Sequence, residues 1–206
     1  MKLSVINPTG KNSSMTVKDE IFGLPANDHL VAQAVRVFMN NQRQGTSSAK
    51  TRSDVLRTTK KWYKQKGTGN ARHGARSAHI FVGGGVAFGP KADQNWSLNL
   101  PKKMKKKALA VAISMRASET VVSDAITELT GKTKPAAELV SKLTDPKARR
   151  VLIVVSELQP QVTQAVRNLP NVIVSHASRV NIYEVMNATH LVLTKDAVKQ
   201  LEERLG

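Results

Sequence analysis

The chain has no cysteine among its 206 residues. That excludes a disulfide framework, a thiolate metal site and a cysteine nucleophile, and it fits a reducing compartment. Long apolar runs are missing too. The longest, ALAVAISM at 108–115 and VLIVV at 151–155, fall far short of the roughly 20 residues that a membrane-spanning helix needs. The opening stretch MKLSVINPTGK alternates as a strand does, without the apolar run of a secretory signal or the pattern of a transit peptide. No membrane partner is expected, and the expected location is cytoplasmic. Acidic residues are scarce: 15 against 32 Lys and Arg, a net charge of +17. Such an excess implies a polyanionic partner, nucleic acid or an anionic surface.

What is present is unevenly spread. Residues 43–107 hold sixteen Lys or Arg against Asp54 and Asp93 alone, a net of +14, which leaves +3 for the rest of the chain. The protein reads as a nearly neutral body with a cationic insert. Within the insert, KQKGTGNARHGARSAHIFVGGGVAFGP at 64–90 has seven glycines and no carboxylate. No helix or strand pattern of useful length runs through it.

Outside the insert the patterning is ordinary. KLSVI at 2–6 reads as a strand and Pro8–Lys11 as a turn. Asn27 or Asp28 can cap a helix over about 28–42, with Leu30, Val31, Ala34, Val35 and Phe38 at helical spacing and Gly45 as its stop. Pro101 suits a helix start, and 102–118 places Met104, Ala108, Val111, Ala112 and Met115 on one face. Strands then alternate with helices: 120–123, 134–143, 151–155, 161–168, 172–175, 182–186 and 190–193, with Thr194 capping a last helix through Leu201. This alternation predicts an α/β fold, a single Rossmann-like and mostly parallel sheet with flanking helices, plus a long extended basic loop. The expected organisation is one globular domain over 1–206, interrupted by the loop at about 44–100.

Catalytic and nucleotide motifs fail on spacing. The glycines of GTGNARHG fall at 67, 69 and 74, whereas the dinucleotide fingerprint needs one at 72, which is Arg. Gly131-Lys132-Thr133 resembles the end of a phosphate loop, but the glycine needed five positions earlier is Ile126. Ser47 and Lys50 match S-x-x-K with no supporting motif nearby, and His73 and His79 have no Cys or carboxylate close in sequence to complete a metal site. No enzyme activity, cofactor or metal is expected.

The insert has a different signature. Five of the chain's eight aromatics lie in it: Trp62, Tyr63, Phe81, Phe88 and Trp96. Disordered linkers are poor in aromatics, whereas aromatics interleaved with cations suit base stacking and phosphate neutralisation. Glycines allow close backbone approach and φ > 0. The expected RNA-binding residues along the loop are Arg43, Lys50, Arg52, Arg57, Lys60, Lys61, Trp62, Tyr63, Lys64, Lys66, Gly67, Gly69, Arg72, His73, Arg76, Gly83, Gly84, Gly85 and Lys91. Lys102, Lys103, Lys105, Lys106 and Lys107 join them, since lysines in a first helical turn oppose the helix dipole unless anions face them.

The run Arg43-Gln44-Gly45-Thr46, Lys50-Thr51-Arg52, Lys64-Gln65-Lys66-Gly67-Thr68-Gly69, Ala71-Arg72, Arg76-Ser77 and Gly83–Pro90 resembles the bacterial family of the fourth large-ribosomal-subunit protein, as does Thr194–Val198. The resemblance covers essentially the whole chain. It implies an α/β domain on the outer side of the subunit and a loop threaded through ribosomal RNA. It further implies that 64–72 lies nearest the wall of the nascent-peptide exit tunnel. Implied partners are large-subunit ribosomal RNA, neighbouring ribosomal proteins and the nascent polypeptide. One departure stands out. Many members have Lys-Pro-Trp-Arg before the Gln-Lys-Gly, where this chain has Lys61-Trp62-Tyr63-Lys64. The other reading is a free RNA-binding regulator acting on its own messenger or on transcription.

Overall fold

Val151–Val155 is a run of five apolar residues with no polar position, which suits a strand covered on both faces. In the computed structural model, which describes residues 1–6, 12–145 and 148–206, all five are buried. Side chains alternate across a strand. Leu152 and Val154 therefore enter one core, and Val151, Ile153 and Val155 the other.

The elements in chain order are β1 (Lys2–Ile6), β2 (Asn12–Thr16), α1 (Asp19–Phe22), α2 (Asp28–Asn41), α3 (Lys102–Met115), β3 (Thr120–Val122), α4 (Thr133–Leu143), β4 (Val151–Val155), α5 (Pro160–Val166), β5 (Val172–His176), α6 (Ile182–Asn187), β6 (His190–Leu193) and α7 (Lys195–Leu205). Short 3-10 turns lie at Ala117–Glu119 and Ala125–Glu128. The sheet order is β2-β1-β3-β6-β4-β5. Only β1 and β2 run antiparallel; every other pairing is parallel. Apolar residues of α2, α3, α6 and α7 fill the core on one face, and those of α4 and α5 the core on the other. The fold is thus the expected α/β sheet with flanking helices.

The described residues divide into two compact units, one of 1–39 with 99–206 and one of 40–98. The second unit holds no helix or strand beyond the end of α2, apart from an isolated antiparallel bridge between Lys61 and Ala75.

Several local expectations need correction. Helix α2 ends at Asn41, within one residue of the expected 42. The Asn41 side chain is engaged: its Nδ2 donates to the Leu98 carbonyl at 3.0 Å, and its Oδ1 accepts from the Leu98 amide at 2.8 Å. Phe38 is only partly buried and stacks on Tyr183, with ring centroids 5.3 Å apart. Val37 takes its place among the buried residues of α2. In α3, all six residues Ala108–Ile113 are buried, where a single stripe was expected. Strand β2, NSSMT, has weak intrinsic strand propensity and forms through its five-residue pairing with β1. The single turn α1 is too short to give a periodic signal. The predicted turn at Pro8–Lys11 lies outside the described residues.

Two caps stitch neighbouring elements. Thr194 Oγ1 accepts from the Ala197 amide and caps α7, as expected. Asp124, which follows β3, accepts from the Lys195 amide and from its Nζ, each at 2.9 Å. Partial burial pushes the Asp124 pKa up, but the hydrogen bonds and charge of Lys195 outweigh it and hold the group below its ordinary value. A carboxylate whose folded pKa is depressed adds stability above its unfolded value, here 3.8, and loses it as the pH falls through the folded value. Asp124→Asn is therefore expected to destabilise at neutral pH by about 1 kcal/mol or less, because the pair is partly exposed. Denaturant titrations on both chains should show the gap closing as the pH is taken below 3.8. A gap that persists in acid would assign the effect to packing rather than charge.

The two hydrogen bonds between the Asn41 side chain and the Leu98 backbone bring the ends of the second unit together. Replacing 44–96 by a short Gly/Ser linker should leave circular dichroism of the remaining α/β sheet and a cooperative melt. A broad, non-cooperative melt would mean that the insert supplies part of the core.

Candidate nucleic-acid interface

Between 43 and 98 no apolar side chain is buried; Ser77 and Gly85 are the only buried residues. Leu56, Ile80, Val82, Val86 and Phe88 are all more than half exposed. A segment like this gains little from the hydrophobic effect. Its order rests on backbone hydrogen bonds, close backbone contacts and aromatic–cation stacking.

The base of the segment is built on Trp96. The Arg43 guanidinium lies over its ring, 3.9 Å from the centroid. Gly45, at φ +65°, packs against the same side chain, and a Cβ there would run into the indole. The middle is a tight crossing of chain on chain. Val86 donates to the Lys50 carbonyl at 2.9 Å, Ala49 to the Pro90 carbonyl at 2.9 Å, and Gly85 to the Ser77 carbonyl at 3.0 Å. A Cβ on Gly84 would collide with the Ala78 carbonyl oxygen, and one on Gly85 with the backbone of Arg52. The close approach that Gly84 and Gly85 allow is thus to this chain's own backbone, while Gly83 lies against the Arg57 guanidinium; of the three only Gly83 has positive φ, at +72°.

An aromatic cluster carries the far end. Trp62 meets Phe81 edge-on at 4.9 Å, His73 meets Phe81 at 5.0 Å, and Tyr63 meets His73 at 6.2 Å. The Tyr63 hydroxyl donates to the Ala71 carbonyl. Arg76 lies 5.0 Å over the Trp62 ring. Tyr63 and His73 are therefore engaged with each other, while Trp62 stays 47% exposed. Gly67 and Gly69 sit at φ +85° and +70° in open space, as a tight reversal between basic arms requires.

The cations divide into two kinds. Arg57 is tied inward, donating to the carbonyls of Val82 at 3.1 Å and Arg76 at 3.5 Å. Lys61 bonds Gln65. Lys50, Arg52, Lys60, Lys64, Lys66, Arg72 and Lys91 are exposed. Among the described residues no Lys or Arg of 43–98 pairs with a carboxylate. Asp54 is bound locally: hydrogen bonds from the Thr51 hydroxyl and amide lower its pKa. In the other unit, Lys102, Lys103, Lys105, Lys106 and Lys107 are exposed on the first turns of α3, with no side-chain cap and no acidic residue in its first turn. Phe88, one of the five aromatics of the insert, is set apart from the other four by its positive φ and full exposure.

Residues 15–204 match the profile of the "Ribosomal protein L4/L1 family". The chain belongs to that family. It is 40% identical over 207 residues to the "Large ribosomal subunit protein uL4" of Neisseria gonorrhoeae, covering 99% of both chains. Proteins of the same name from Lachnospira eligens and Alkaliphilus metalliredigens are 41% identical over 204 residues and 37% over 205, each at 97% coverage or more. Membership covers both units, since the matched span includes 40–98 entirely. Among the described residues no helix is long and apolar enough to cross a membrane.

Gly85→Ala should loosen the crossing at 49–52 and 84–90, while Gly67→Ala, in open space, should add only about 1–2 kcal/mol of left-handed backbone strain. Limited trypsin digestion tests this through the many Lys and Arg of the segment. Faster cleavage within 50–91 is expected for Gly85→Ala and not for Gly67→Ala. Equal rates would remove the crossing as the source of order.

Proposed function

We propose that this chain, a large-subunit ribosomal protein by family, binds large-subunit ribosomal RNA through residues 43–98 and the lysine-rich start of α3. One observation carries the reading. The segment holds eleven Lys and Arg, none paired with a carboxylate among the described residues, and buries no apolar side chain. Unpaired like charges repel one another until a polyanion neutralises them. Phosphates with unstacked bases supply the complementary charge and the missing apolar contact. The five lysines of α3 face the same partner chemistry, because phosphates offset their unfavourable position at the helix N-terminus.

Within that reading, 64–72 reaches the nascent-peptide exit tunnel, with neighbouring ribosomal proteins and the nascent chain as further partners. Support comes from the reversal at Gly67 and Gly69, flanked by exposed Lys64, Lys66 and Arg72. Lys66→Glu is then expected to leave subunit assembly near normal while changing the footprint of tunnel-bound ligands.

Affinity for protein-free large-subunit ribosomal RNA should fall steeply with salt, each neutralised phosphate adding roughly −0.7 to −0.9 to the slope of log affinity against log salt. Changing Lys102, Lys103, Lys105, Lys106 and Lys107 together to Gln should flatten that slope by several units. An unchanged slope would take α3 out of the interface, and a flat slope for the unaltered chain would overturn phosphate contact as the source of affinity.

A further inference from the structure

Phe88 stands out from the rest of the insert. Its side chain is fully exposed, at 107% of the reference area. It is also the one non-glycine among the described residues with positive φ, at 51°. A bulky L-residue in that region is strained, and the strain persists only where the surroundings fix the backbone. Here they do. The Val86 amide bonds the Lys50 carbonyl and the Ala49 amide bonds the Pro90 carbonyl. Residues 86 and 90 are thereby pinned to one dipeptide, and 87–89 must bulge between them. Gly89 lies against Ala49, where a Cβ would come within 2.7 Å of the Ala49 Cβ. The inner side of the bulge is closed, so Phe88 points outward.

We propose that Phe88 is a preset stacking platform for one unpaired RNA base, held out of the chain before the RNA arrives. The proposal rests on the RNA-binding reading and adds to it a stacking residue. The occupant follows from the surroundings. Lys50 and Lys91 flank the bulge and are exposed, so a base on the ring brings its phosphate towards cations. Fixing the backbone in advance reduces the ordering cost at binding. A small residue would satisfy the bulge equally well, and glycine would relieve its strain. A fully exposed phenyl ring therefore needs a partner with a flat face.

The test uses the full chain and protein-free large-subunit ribosomal RNA. Phe88→Ala should lower affinity about 5- to 100-fold, the range for losing one base–aromatic stack, with the salt slope unchanged. Phe88→Trp should stay within about twofold of the original. Phe88→Leu should behave as Phe88→Ala, because a branched aliphatic offers no flat π-face. Chemical probing should show one unpaired nucleotide protected by the original chain and by Phe88→Trp, and reactive with Phe88→Ala. Melting curves of all variants should coincide, since the side chain packs on nothing. Full affinity for Phe88→Ala would overturn the proposal, and so would full affinity for Phe88→Leu, which would indicate an apolar pocket, as in a protein partner. The five-lysine variant separates the two readings. If it reduces the salt slope while Phe88→Ala changes nothing, RNA binding stands and the stacking platform falls. If neither variant changes binding while the unaltered chain keeps a steep salt slope, the stacking platform and the α3 contact both fall and the cations of 43–98 carry the affinity; only a flat slope for the unaltered chain overturns the RNA-binding reading itself.

Discussion

Unneutralised positive charge on a chain segment without an apolar core is the constraint around which this molecule is organised. Eleven cations lie within 43–98, and among the described residues none has a carboxylate partner. In water such a segment loses conformational entropy on ordering and gains almost nothing from burial. The second unit is ordered by other means. Trp96 has the Arg43 guanidinium over its ring and Gly45 packed against its indole. Backbone crosses backbone at Gly84 and Gly85, and the ends are clasped by Asn41 and Leu98. Each device uses hydrogen bonds, stacking or the absence of a Cβ, and none spends a cation on an acidic partner. The charges stay free of acidic partners.

The other unit solves the opposite problem. Its sheet buries apolar side chains on both faces, so its strands carry uninterrupted runs such as VLIVV. Its few ion pairs sit at element ends, as Asp124 does with Lys195. A two-sided core gives that unit a fold sustained by burial, and its net charge is +3 once the five lysines of α3 are set aside. The lysine-rich first turns of α3 are its exception. There the same helix that buries Ala108–Ile113 exposes five cations one and two turns earlier.

Glycine has two distinct roles in the insert. Gly67 and Gly69 are needed for backbone angle alone, in open space. Gly84 and Gly85 are needed for contact alone, with no positive φ. Phe88 inverts this logic, holding an angle that suits glycine while presenting the most exposed ring of the segment. Bound molecules reward such preset geometry, because the ordering cost has been met before association.

Much of this was legible in the sequence, for physical reasons. Hydrophobic period gave β4, α4 and α7 within a few residues, since burial on a sheet or helix face forces that period. Charge segregation marked 43–107, and the lack of any apolar period left 64–90 without an expected helix or strand. Non-local pairing decided the rest. Strand β2 exists because β1 lies beside it, and α2 ends where the Asn41 side chain meets Leu98, 57 residues away. The glycine triplet could be read as open to a ligand, and only the fold shows its space filled by Ala78 and Arg52. Which cations turn inward, as Arg57 does, and which aromatic is left bare, as Phe88 is, depends on backbone crossings that no local pattern encodes. Composition set the chemistry of the segment, and tertiary contact chose the residues free to use it.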